Sequence, residues 1–274
     1  MDLVLLAVAA VWGGATGLLI PRAAYRFAVE PEEPWRTACP AGHVFTGPFG
    51  GWWGPARCTS CRSRAQTSVR YGDEAEAPVP YGEEAAGDKR PAPLSYAPGA
   101  LAPLITVLAC VALAAATGAR PELAGWLLLA PVAVLLATVD RRVHRLPDPL
   151  TLPLAAAAVL LLGGAALLPG HAGSWTSGLL GGLVLGGFYL LLFLINPNGM
   201  GFGDVKLALA LGIALGWYGW EVLFLGGFAG FLFGAAYGLG LVLLRRAGRK
   251  TGIPFGPFMI AGALTGVLLG ALAA

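Results

Sequence analysis

The sequence predicts an all-α polytopic membrane protein, with about eight transmembrane helices and a cytoplasmic insert after the first. Three observations carry this. Of its 274 residues, 57% are hydrophobic and only 12% charged, with a mean hydropathy of +0.71, a balance that suits lipid and not water as the main solvent. The apolar residues gather into stretches near the roughly 17–25 residues that a helix needs to cross a bilayer. The basic residues fall almost entirely on one side of the topology these stretches define, as the positive-inside rule requires.

The first stretch, 2–20, begins with Asp2, lacks a basic n-region and is followed by Arg22 and Arg26. It therefore reads as a retained helix ending in a basic anchor, with its N-terminus outside, and not as a cleaved signal. The polar segment 21–100 follows, and divides the chain into a first helix (1–20), an insert (21–100) and a membrane domain (101–274). The insert up to about Arg70 carries aromatics and three of the four cysteines, enough for a small folded unit. Its remainder, 71–100, with Asp73, Glu74, Glu76, Glu83, Glu84 and repeated prolines, reads as a flexible linker. The membrane domain supplies seven further spans: 101–118, 123–139, 149–168, 177–195, 205–218, 221–244 and 255–273.

On this topology every one of the 18 Lys and Arg residues except Arg120 lies on the cytoplasmic side. The net charge of +3 is then a topological signature and gives no reason to invoke nucleic acid. Glycines recur every fourth residue at Gly178, Gly182 and Gly186, from Gly226 to Gly238, and at Gly262, Gly266 and Gly270. Such stripes let helix backbones approach closely in lipid, and packing inside the bundle is favoured here over a dimer surface. Cys110, in an apolar helix, reads as packing.

Acids near a membrane are costly, so each needs an explanation. Outside the insert there are Asp2, Glu122, Asp140, Asp148, Asp204 and Glu221. Asp2, Glu122 and Glu221 fall at outer-face helix ends, where solvation removes the cost, and read as inert. Asp140 follows the apolar run LLATV and precedes Arg141, Arg142 and Arg145, while Asp204 sits in GMGFGDVKL at the start of a new helix. Both reach the same cytoplasmic boundary. Two carboxylates brought together can share one proton, leaving one as general base toward water and the other as general acid.

Each acid also has a plainer reading. Asp204 suits a helix N-terminus, although Gly199, Gly201 and Gly203 supply more backbone freedom than capping needs and fit a peptide lying alongside. Asp148, directly before Pro149, is read as an N-cap. Asp140 stands where the helix dipole disfavours a negative charge, so its plain reading is an ion pair with a neighbouring arginine.

These residues together resemble the type IV prepilin leader peptidases. The similarity rests on Asp140 within VDRRVHRLPDPLTLP, on GMGFGD ending at Asp204, and on IPFGPFMIAGA at 253–263, and it covers most of 101–274. It implies that Asp140 and Asp204 are the catalytic pair of an aspartic endopeptidase in the bacterial inner membrane. Such an enzyme removes a short basic leader from prepilin or pseudopilin precursors at the cytoplasmic face, without a metal or nucleotide at the scissile bond. Those precursors serve pilus assembly or protein secretion.

In the insert, Cys39, His43, Cys58 and Cys61 form a set that can supply four tetrahedral zinc ligands, in a compartment where disulfides are disfavoured. The resembled family usually carries two complete C-x-x-C pairs, and here Gly42 stands at one of those positions, with His43 next to it. Many family members also methylate the new N-terminus with S-adenosylmethionine. The segment GGATGLLIPR at 13–22 resembles theirs in Gly13 and Arg22, while Gly17 replaces a usual asparagine. It identifies no cofactor-binding residues.

Three other classes compete. An ion-coupled transporter would use the same acids but favours charges near mid-span and inverted repeats. A presenilin-type protease wants deeper acids and a Pro-Ala-Leu motif, which the sequence lacks. A non-enzymatic scaffold leaves the paired acids unexplained.

Overall fold

The computed structural model of the chain describes residues 2–30, 32–54, 58, 61, 100–197, 199–244 and 253–274. The expected linker 71–100 lies outside them except for its last residue, Ala100. Among the described residues nine helices of eight residues or more follow one another: α1 (Leu3–Gly17), α2 (Ile20–Phe27), α3 (Leu101–Thr117), α4 (Glu122–Val143), α5 (Asp148–Ala166), α6 (Trp175–Ile195), α7 (Phe202–Trp217), α8 (Trp220–Leu243) and α9 (Gly256–Ala273). A single turn at Pro48–Gly51 and an antiparallel bridge between Ala38 and Val44 complete the insert's described structure. The protein is an all-α polytopic membrane protein. Among the described residues six segments are long and apolar enough to cross a bilayer, with α1 and α2 counted together as Leu3–Phe27. The other two expected spans form shorter helices: α3 has 17 residues and α7 has 16.

The bundle is organised around α7. This helix is apolar on every side, as a helix enclosed by others must be, and buries residues from Val205 through Trp217 against α5, α6, α8 and α9. Small residues allow the approach. A Cβ added at Gly212 would meet the carbonyl oxygen of Gly181 at 2.5 Å, and one at Gly262 in α9 would meet that of Gly226 in α8 at 2.6 Å. The glycine stripes therefore serve packing within the bundle, α6 against α7 and α8 against α9. Large apolar side chains such as Leu183, Phe224 and Phe228 are left exposed, as a lipid solvent permits.

The structure corrects the basic-anchor reading of the first span. The helix continues past residue 20 through α2, and Arg22 and Arg26 are buried, not spread at a membrane surface. Arg22 donates to the carbonyl of Thr46 at 2.9 Å, and Arg26 donates to those of Arg36 and Gly50 at 2.9 and 3.1 Å. Arg26 also lies 3.8 Å over the Trp52 ring. These two cations clasp the insert onto α2.

Glu122 is a second correction. It is fully buried and accepts a hydrogen bond from the Ala172 amide at 3.2 Å, because the loop between α5 and α6 folds over the end of α4. Asp2 and Glu221 are exposed. Cys110 is buried with Ala9, Ala114 and Leu123, in keeping with a packing role.

Candidate active site and metal centre

Asp140 lies in the last turn of α4, which runs on to Val143 and ends where His144 takes a left-handed conformation (φ 51°). The His144 amide closes the helix on the Asp140 carbonyl at 2.8 Å. The chain then reverses through Leu146 into α5. Asp140 is buried, and its Oδ2 accepts a hydrogen bond from the backbone N–H of Gly256 at 3.0 Å. Among the described residues it makes no ion pair with an arginine. Its partner is instead the first residue of α9, and a Cβ at Gly256 would meet that same oxygen at 2.8 Å. Glycine is needed there for the approach.

Asp204 sits in the first turn of α7, also buried, and its Oδ2 accepts from the amide of Gly201 at 3.2 Å. One oxygen thus does the helix-start work that the plainer reading assigned to this residue. The two aspartates line one cavity of about 550 Å³ together with His144, Arg145, Gly199, Gly203 and Phe255, and they are close enough to act on each other electrostatically. Tyr189 of α6, buried against Phe231 and Phe255, is within electrostatic reach of Asp204 as well.

Asp148 departs from the sequence reading. The N-cap position is taken by Pro147, and Asp148 is the first residue of α5; it pairs with Lys206 Nζ at 2.6 Å, and both residues line the same cavity. Nothing in the Asp-Pro dipeptide could reveal a partner on another helix. Gly256, Tyr189 and Lys206 were likewise beyond sequence reasoning as neighbours of the acids, though Gly256 stands inside the IPFGPF stretch that carried part of the resemblance.

The four residues proposed as metal ligands do come together. The ligand atoms of Cys39, His43, Cys58 and Cys61 all lie within 4.8 Å of one another. The Cys39 and Cys61 sulfurs are 3.7 Å apart, and His43 Nδ1 lies 3.6 and 3.3 Å from them. Tetrahedral zinc with Zn–S bonds of about 2.3 Å has edges of roughly 3.8 Å between sulfurs, so the set fits zinc. A turn at Gly42 (φ +79°) brings His43 back beside Cys39, whose amide bonds the His43 carbonyl at 2.9 Å. This Cys3His cluster could bind zinc.

Comparison with known proteins agrees with this geometry. Residues 127–239 match the model of the type IV leader peptidase family. The chain is 41% identical over 144 residues to the prepilin leader peptidase/N-methyltransferase of Aeromonas salmonicida (strain A449), covering 49% of this chain and 47% of that one. The protein of the same name from Aeromonas hydrophila is 39% identical over 163 residues, covering 58% and 54%. That of Pseudomonas aeruginosa is 36% identical over 132 residues, covering 45% and 42%. The chain thus spans about half the length of the relatives it matches. No solved structure matches it. The stretch that matches the type IV leader peptidase family, residues 127–239, holds both cavity aspartates.

Proposed function

We propose that the protein is a membrane aspartic endopeptidase that cuts the leader from prepilin-like precursors, with Asp140 and Asp204 as its catalytic pair. The observation that carries this is the meeting of two buried carboxylates from α4 and α7 in one cavity, each with one oxygen held by a backbone amide. The amides fix the carboxyl planes and leave the second oxygen of each free to address a substrate. Two such groups hold one proton between them, and their titration belongs to the pair. The ionised member takes a proton from water as it attacks the scissile carbonyl. The protonated member gives its proton to the carbonyl oxygen, and the departing amine then collects one as the C–N bond breaks.

The positive-inside pattern supports a cavity facing the cytoplasm, with 21–100 as a cytoplasmic insert and 101–274 as the peptidase domain. Cys39, His43, Cys58 and Cys61 would hold a structural zinc that binds the two ends of the folded part of the insert together; the peptide chemistry does not use it. Methylation of the new N-terminus from S-adenosylmethionine rests on the relatives' names. Of the two family-like residues, Arg22 is occupied with Thr46, and Gly13 packs where a Cβ would meet the Thr106 carbonyl oxygen at 2.9 Å, so both have structural tasks.

Mass spectrometry of a prepilin-like precursor incubated with the purified protein and S-adenosylmethionine tests the reading. Cleavage by wild type, lost in Asp140→Asn and in Asp204→Asn, is the expected result. An added methyl mass on the product reports the second activity. Intact precursor with a folded wild-type protein would sink the peptidase reading, and ion-flux measurements would then test the transporter use of the same acids.

A further inference from the structure

The cavity holds a second pair of charges that the aspartate chemistry leaves unused. Lys206 lies in the first turns of α7, two residues beyond Asp204, and Asp148 begins α5, directly after the loop that follows Asp140 and its helix end. Their side chains meet at 2.6 Å, and Lys206 Nζ also lies 4.9 Å from the centre of the Phe202 ring. A second contact joins the same two segments. Leu146 in the loop is buried, and a Cβ added at Gly203 would meet the Leu146 Cβ at 2.9 Å. The segment that delivers Asp140 is thus fastened to the one that delivers Asp204 at two points on either side of Asp204.

We propose that Lys206 and Asp148 are a positioning pair, an ion-pair latch that sets the separation of Asp140 and Asp204. This rests on the peptidase reading above. Asp148 is 60% exposed and Lys206 17%, and an ion pair so open to solvent adds little to the stability of the fold. What it does add is a fixed distance between the start of α7, which carries Asp204, and the start of α5, which follows Asp140 after the four-residue reversal 144–147. Catalytic groups tolerate misplacement poorly, since a shift of about 1 Å can cost on the order of a hundredfold in rate.

The test measures kcat, KM and the thermal unfolding midpoint of the full chain cleaving a prepilin-like precursor. The variants are Lys206→Met, Asp148→Asn, the double variant and Lys206→Arg, with Asp140→Asn and Asp204→Asn alongside. Each single neutralisation is expected to lower kcat by about tenfold, with KM and the unfolding midpoint near wild type. The double variant should fall no further than the worse single, because two members of one latch are lost together, and Lys206→Arg should keep most of the rate. Wild-type kcat in either single, losses that multiply in the double, or a rate loss that follows a falling midpoint would each overturn the latch. Complete loss in Asp148→Asn with an active Lys206→Met would also overturn it, by making Asp148 catalytic in its own right. If Asp140→Asn and Asp204→Asn still cleave, the dyad itself is wrong, an outcome distinct from failure of the latch alone.

Discussion

Asp140 and Gly256 stand 116 residues apart in the chain and are joined by a 3.0 Å hydrogen bond from the glycine amide to the aspartate Oδ2. The bond makes the start of α9 part of the candidate active site. It also explains why the segment around Gly256 accompanies the two aspartate motifs in this sequence.

Replacing that glycine tests the arrangement. In Gly256→Ala the new methyl would fall 2.8 Å from Asp140 Oδ2, so the carboxyl group must move or lose its amide partner. We expect precursor cleavage to fall roughly 10- to 100-fold in a protein that still inserts and folds, as read by steady-state kinetics beside a thermal melt. An unchanged kcat would show that the amide does not orient Asp140.

The α6–α7 interface gives a stability prediction. Gly212→Ala would place its methyl 2.5 Å from the Gly181 carbonyl oxygen and 2.9 Å from Leu185 Cβ, and backbone cannot yield as a side chain would. Overpacking of this kind costs about 1–3 kcal/mol, so a lower unfolding midpoint in detergent is expected. Substitution at Gly240, which has open space around it, should leave the midpoint near wild type.

Glu122 gives a second. Its Oε1 accepts the Ala172 amide in a fully buried setting. Glu122→Ala leaves that amide unpaired and should cost about 1–3 kcal/mol, whereas Glu122→Gln keeps an acceptor for it and should be milder. Thermal unfolding distinguishes the two, and equal losses in both would mean that the charge, not the amide contact, is what matters.

For the cysteine cluster we expect one zinc per chain by elemental analysis of the purified protein. His43→Ala, which removes the Nδ1 that lies 3.3 Å from Cys61 Sγ, should lower that content. It should also speed protease cleavage within the insert. Equal metal content in wild type and His43→Ala would exclude His43 as a ligand.

The sequence made the helices legible because hydropathy is a local property, and it made Asp140 and Asp204 legible because acids are scarce beside apolar runs. The grouping of Cys39, His43, Cys58 and Cys61 could be read for a similar reason: sulfur and imidazole in a short polar segment have few other uses. What failed had its cause elsewhere in the chain. Asp148 looked like a helix cap until α7 supplied Lys206, and Arg22 and Arg26 looked like surface anchors until Thr46, Arg36 and Gly50 folded back to receive them. Glu122 looked solvated because no local pattern tells that the loop holding Ala172 covers it.

The shortness of α7 has a consequence for the surrounding lipid. Its 16 residues measure about 24 Å along the axis at 1.5 Å per residue, while the hydrocarbon layer is about 30 Å thick. Tilting would only shorten its span across the layer, so its ends are sunk below the level of the headgroups or the bilayer thins around the bundle. On the proposed function, a peptide bond brought to Asp204 would have to leave bulk water, and the polar cavity that Asp204 lines would be its way in.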